Sequence, residues 1–137
     1  MTILLDPAET GSAQPDQAVD VLATAVTRPR PGTVLLTVSG EIDTLTAPRF
    51  ESGLTALLDD SDAMPVVDLT RVTFLASSGL AALIRAAHRA ADQGRRLLLV
   101  APSRAVTRPL EITGSDQLFD LCAGLDEALA VPTTGPD

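Results

Sequence analysis

Two short apolar runs do most to limit what this chain can become. Pro65-Val66-Val67-Asp68-Leu69 and Leu97-Leu98-Leu99-Val100 are too short for a helix and read as buried strands, the second an interior strand bounded by Pro102. Around them lie stretches with helical spacing. Phe50, Leu54, Leu57 and Leu58 share one face of a helix that starts near Thr46, a good N-cap residue, with Pro48 tolerated in the first turn. Leu80, Leu83, Ile84, Ala87 and Ala91 form the apolar stripe of a longer helix stopped by Gly94, with Arg85, Arg89 and Asp92 toward water.

The flanking segments complete the pattern. Val19 to Thr27 is β-branched enough for a strand, and Arg28-Pro29-Arg30-Pro31-Gly32 carries a strong turn signal. Val34, Leu36 and Val38 then alternate with Leu35, Thr37 and Ser39, so the two strands should form an antiparallel hairpin. Gly40-Glu41-Ile42-Asp43 breaks the alternation and is expected to begin a loop. Downstream, Ser103 to Thr113 has helical spacing through Val106, Leu110 and Ile112, but contains Pro109. Proline costs about 3 kcal/mol inside a helix, so this one should be short, kinked or late-starting. Leu118-Phe119-Asp120-Leu121 reads as a last edge strand and Ala123 to Val131 as a final helix. The order β-β-α-β-α-β-α-β-α predicts one α/β domain. It has a mixed sheet of about five strands, with the N-terminal hairpin antiparallel and the rest mainly parallel, packed with about four helices.

A chain of 137 residues fits one such domain. Residues 1–18 are polar, rich in turn formers and free of bases, and read as a flexible N-terminal tail; residues 132–137 read as a second tail, leaving 19–131 as the domain. The single Cys122 fits a reducing cytoplasm. No run approaches the ~20 apolar residues of a membrane span, and the N-terminus lacks the basic start of a signal peptide. The net charge of −8 argues against nucleic acid and anionic membranes as partners.

Catalytic and metal chemistry find no residues to carry them. All ten basic residues are arginine, so there is no lysine for a Schiff base or a phosphate-binding loop, and no glycine-rich phosphate motif occurs. His88, the only histidine, falls mid-helix beside the apolar stripe and reads as a partly exposed helix residue rather than a general base. One histidine and one cysteine make no zinc site. The acidic run Asp59-Asp60-Ser61-Asp62 reads as a solvated loop, since no further acceptors follow at cation-loop spacing. A phosphoaspartate receiver domain is a competitor through Asp68, but its chemistry needs a lysine; Asp68 reads instead as a strand-end residue facing solvent or a helix N-terminus.

One constellation remains. Leu75-Ala76-Ser77-Ser78-Gly79-Leu80 lies between a buried strand and the long helix, which puts serine hydroxyls at a helix start where one can cap it. With three other blocks it resembles the sulfate-transporter and anti-sigma antagonist (STAS) family, in its single-domain antagonist branch. The blocks are Val38-Ser39-Gly40-Glu41-Ile42-Asp43, then Val67-Asp68-Leu69 running on through Val72-Thr73-Phe74-Leu75, and Ser103-Arg104-Ala105-Val106-Thr107-Arg108-Pro109-Leu110 continuing to Leu118-Phe119. They stand in the family's order and spacing, from about Val21 to Val131.

The resemblance implies a non-enzyme that binds an anti-sigma factor serine kinase when unphosphorylated and so releases a sigma factor. It implies that Ser77 is the residue that the kinase phosphorylates, and that a protein phosphatase restores it. It places Glu41, Asp43, Thr44, Ala76, Ser78 and Gly79 on the docking surface. No cofactor is implied. The family's aspartate before the serine is Ala76 here. That departure favours an alternative in which the same fold is a non-switching scaffold or a module sensing a small ligand such as a nucleotide.

Overall fold

A computed structural model describes residues 22–60 and 62–130. The tails read from sequence, and the start of the first expected strand, lie outside the described residues. Strand β1 (Ala23–Arg30) and strand β2 (Thr33–Ile42) form the expected antiparallel hairpin, with Val26 opposite Leu36. Gly32 closes the turn at φ 81°, a left-handed conformation that glycine adopts without strain.

Helix α1 (Ala47–Leu58) returns the chain to strand β3 (Met64–Leu75), and helix α2 (Ser77–Asp92) carries it to strand β4 (Leu98–Val100). Helix α3 (Arg104–Thr113), a 3-10 turn (Ser115–Leu118), strand β5 (Asp120–Cys122) and helix α4 (Leu125–Leu129) complete it. The strands lie in the order β1-β2-β3-β4-β5, and every pair after the hairpin is parallel.

Both faces of the sheet are covered, which is why its inner strands read as continuous apolar runs. Val34, Leu36, Val67, Leu69, Leu97 and Leu99 join Phe50, Leu54, Leu83 and Leu110 of the helices in the main core. The alternate residues Leu35, Met64, Val66, Leu98 and Val100 face the other way and are closed over by Ala128 and Leu125 of α4.

Several expectations are corrected. Strand β2 does not end at Gly40: it continues to Ile42, and the break in alternation is a register irregularity, with three residues of β2 (Thr37 to Ser39) facing four of β3 (Asp68 to Arg71). Strand β3 is accordingly not a short segment ending at Leu69 but a 12-residue strand, so Asp68 is neither at a strand end nor at a helix N-terminus. It lies within β3 opposite Thr37 and Val100, where its carboxylate accepts from the N–H of Thr70 at 3.0 Å. On α2, Ala91 is exposed and Ile84 only half-buried; Ala82, Ala86 and Ala90 are buried with Leu83 and Ala87. Toward α1, Ala82 and Ala86 line a shallow recess together with Leu54 and Thr55, beside the Arg85–Glu51 pair at 2.9 Å. Finally, Pro109 sits within an unbroken α3; it removes a bond to the carbonyl of Ala105, but both residues line an open groove rather than a sealed core.

The 3-10 turn takes Leu118 out of the last strand, which begins at Asp120, while Phe119 is buried in the main core. The final helix is likewise shorter than the sequence suggests.

Candidate functional site

In open α/β sheets the carboxyl ends of parallel strands gather the loops that carry function. Here β2, β3 and β4 end on one side and deliver the β2–α1 loop, the start of α2 and the start of α3 to a common edge. The amide of Ala76 donates to the carbonyl of Ile42 at 2.8 Å, and Glu41 pairs with Phe74 across the strands. Glu41, Asp43 and Thr44 are thereby held beside Ala76 and Ser77.

The β2–α1 loop is fixed by its own side chains. The Asp43 carboxylate accepts from the N–H groups of Thr46 at 2.9 Å and Leu45 at 3.0 Å. Chiefly the Thr46 backbone N–H, helped by the Thr46 hydroxyl and the Leu45 N–H, holds the Asp43 carboxyl below its usual value of 3.8. Thr46 occupies the cap position of α1, but its hydroxyl does not cap the helix. It donates to the carbonyl of Glu41 at 2.8 Å and accepts from the N–H of Asp43 at 2.9 Å, stitching the loop back on the strand.

The two serines differ in availability. Ser77 is the first residue of α2, is exposed and makes no hydrogen bond to any described residue. The Ser78 oxygen is shielded and has no partner among the described residues. Neither serine caps α2. The cap position is Ala76, extended at φ −82° and ψ 168°, so the helix begins without a side-chain cap.

Gly79, which the resemblance groups with the docking residues, also has a packing task. It is buried, and a Cβ built on it would lie 2.3 Å from Cγ2 of Ile42 and 2.8 Å from Cδ1 of Leu75. Its missing side chain lets α2 close onto the ends of β2 and β3.

Sequence reasoning missed the rest of this edge. A groove of about 490 Å³ runs from Ser77 and Ala76 between the end of β3 and α3, lined also by Phe74, Leu80, Pro109 and Ile112. It is overwhelmingly apolar, yet Arg104 and Arg108 stand in its wall. Three large apolar side chains are left in water around the same edge: Phe74 (48% exposed), Ile112 (71%) and Leu45 (84%). The signal lies in helical spacing: Ile112 falls on the apolar stripe of the sequence, whereas Val106 and Leu110 alone are buried on α3.

The other sequence candidates are placed apart from this edge. His88 is exposed on α2. Asp59 and Asp60 are engaged by Arg89 and Arg28, and no cluster of three metal-ligating side chains occurs among the described residues. Cys122 is a half-buried free thiol whose ionisation is pushed up first by burial, then by Glu127 and Asp120.

Comparison with known proteins agrees with this geometry. Residues 24–128 match the family model described as STAS domain. An anti-sigma-F factor antagonist of Mycobacterium tuberculosis, RsfB, is 33% identical over 98 residues, which are 72% of this chain and 80% of that protein. An anti-sigma-B factor antagonist of Listeria monocytogenes is 30% identical over 84 residues, covering 61% and 74% of the two chains. The crystal structure of an anti-sigma factor antagonist from Mycobacterium paratuberculosis superposes with a TM-score of 0.72 at 37% identity, over 79% of this chain and 91% of that one.

Proposed function

The chain belongs to the STAS domain family, and from that footing we propose that it is an anti-sigma factor antagonist switched by phosphorylation of Ser77. Unphosphorylated, it binds an anti-sigma factor serine kinase through the edge built from Glu41, Asp43, Thr44, Ala76, Ser78 and Gly79. That association frees the sigma factor. It acts by binding, with no catalytic residues of its own, and a protein phosphatase restores the serine. In the modification, the Ser77 oxygen attacks the γ-phosphorus of ATP held by the kinase. A new O–P bond forms, the bond to the β-phosphate oxygen breaks, ADP leaves, and the serine proton passes to a base of the kinase.

The observation that carries the reading is the exposed, unbonded hydroxyl of Ser77, held at the start of a rigid helix beside a loop that is itself pinned. A phosphoserine carries about −1.5 to −2 charges at neutral pH. At the N-terminus of α2 that charge is locally favourable, by about 0.3–1 kcal/mol at an exposed site. The helix therefore survives modification, and the effect falls on association. A loss of even ~3 kcal/mol of binding free energy weakens a complex more than 100-fold.

Incubation with candidate anti-sigma kinases and ATP, followed by intact mass and site mapping, tests the modification. Titration of the same kinases with Ser77→Ala and Ser77→Asp tests the switch: the first should bind persistently and the second weakly. Equal binding by both variants and the native chain would sink it. A second reading, a module that senses a small ligand, draws support from the groove, whose size lies within the ~300–1,000 Å³ of ligand pockets. A kinase complex insensitive to residue 77, with saturable nucleotide binding to the free chain, would favour that reading.

A further inference from the structure

We infer that Arg104 and Arg108 form a built-in receptor for the phosphoryl group on Ser77, an oxyanion subsite within the same chain. The inference rests on Ser77 as the modified residue, not on the identity of the kinase.

Arg104 and Arg108 lie four residues apart on α3, so their side chains share one face of the helix. Both line the groove that Ser77, at the start of α2, also lines. Six of the chain's ten arginines are already engaged: Arg28, Arg85, Arg89 and Arg96 in ion pairs, and Arg30 and Arg95 on backbone carbonyls. Arg104 and Arg108 have no hydrogen bond or ion pair to any described residue. No acidic side chain is among the described residues that line the groove, although the chain carries a net charge of −8. Glu111, on the same helix, does not line it either.

Two uncommitted guanidinium groups in an apolar wall are suited to a phosphate monoester, which offers three acceptor oxygens to their paired donors. The surroundings bias the direction. Glu41, near the end of β2, and Asp43, in the β2–α1 loop, place negative charge at the same edge and repel a dianion. Arg104 and Arg108, in the same groove, attract it. The phosphoryl group would therefore lie over the groove mouth rather than pointing outward. Ala76 matters here, because it adds no competing carboxylate at the shared edge.

The test uses the full chain with phosphoserine placed at position 77 during synthesis, so that no kinase is needed. The ³¹P resonance is titrated from pH 4.5 to 8. An exposed phosphoserine has its second pKa near 6; pairing with the arginines should lower it by roughly 0.5–1 unit, since opposite charge at short range favours the ionised form. Arg104→Gln combined with Arg108→Gln should return the value to about 6 or above, while Arg104→Lys combined with Arg108→Lys should keep most of the shift. Thermal melts check that each variant is folded, which is expected for side chains without partners. The same titration in the native chain and the double glutamine variant would overturn the inference and leave the phosphate to solvent or to the first N–H groups of α2. Failure of every kinase to modify Ser77 would instead strike the switch and leave this measurement intact.

Discussion

Replacing Ala76 by aspartate should stabilise the fold by about 1 kcal/mol, and the gain should vanish in acid. Ala76 already has the extended backbone of a helix cap, so the substitution needs no rearrangement of the chain. Leu80 is the first residue of α2 whose N–H finds an intrahelical carbonyl, that of Ala76 at 2.9 Å. The N–H groups of Ser77, Ser78 and Gly79 precede it and have none. A carboxylate at 76 would accept from Ser78 or Gly79, an exchange worth about 0.5–2 kcal/mol. For a chain of this size, 1 kcal/mol corresponds to roughly 3–6 °C in Tm. The hydrogen bonds would hold the new carboxyl below its unfolded value of about 3.9. A depressed pKa contributes stability that is complete above the unfolded value and is lost as the pH falls through the folded one. Ala76→Asn caps without a charge and should keep its gain at low pH. Urea unfolding at pH 7 and at pH 3, with and without Arg104→Gln and Arg108→Gln, separates the cap from an ion pair across the groove. No gain at pH 7, or an aspartate gain unchanged in acid, would refute the reasoning.

Gly79→Ala should destabilise the chain by about 1–2 kcal/mol in urea unfolding, because forcing a methyl against Ile42 and Leu75 costs about 1–3 kcal/mol and the better helix propensity returns at most about 1. The loss should be non-additive with Ile42→Ala, which empties the contested space. Arg95→Ala should cost about 1.5–3 kcal/mol: its guanidinium donates to the carbonyls of Leu58 at 3.0 Å, Asp60 at 2.8 Å and Ala63 at 2.6 Å, and truncation leaves all three without that donor. Asp43→Asn should flatten the acid limb of the stability curve. The native carboxyl is held below 3.8, so its contribution is present above that value and is lost as the pH falls further; unfolding monitored from pH 6 downward should show the two proteins converging in acid.

The fold was legible because local and global signals agreed. Alternation in Val34–Ser39, the bounded run Leu97–Val100 and the stripe from Phe50 to Leu58 each named an element that the structure contains. What escaped was set by tertiary contacts. Gly40 looks like a stop in one strand, but its neighbour β3 carries the extra residues that absorb the irregularity, and pairing is invisible to a single strand's pattern. Ala91 and Ala86 are equally apolar, and only the position of α1 decides which is buried. The site divided in the same way. Ser77 and the stretch Glu41–Thr44 are candidates named from motif residues, whereas the groove depends on α3 packing beside β3. Thr46 was legible as a cap by type, yet its hydroxyl is committed to the carbonyl of Glu41.

Ala76 joins the stability of this chain to the proposed phosphate site. A carboxylate there would cap α2 and also stand at the mouth of a groove that otherwise holds two cations and no acid among its described lining residues. Alanine forgoes the cap and leaves Arg104 and Arg108 without a carboxylate beside them in the groove. The two roles can be separated in one protein. In the phosphoserine form of Ala76→Asp, the new carboxylate should compete for the arginines and repel the phosphate, so the second pKa of the phosphate should rise toward 6 or beyond even as the unmodified protein becomes more stable. A phosphate pKa indifferent to residue 76 would mean that the groove's arginines and the helix start do not share one electrostatic site.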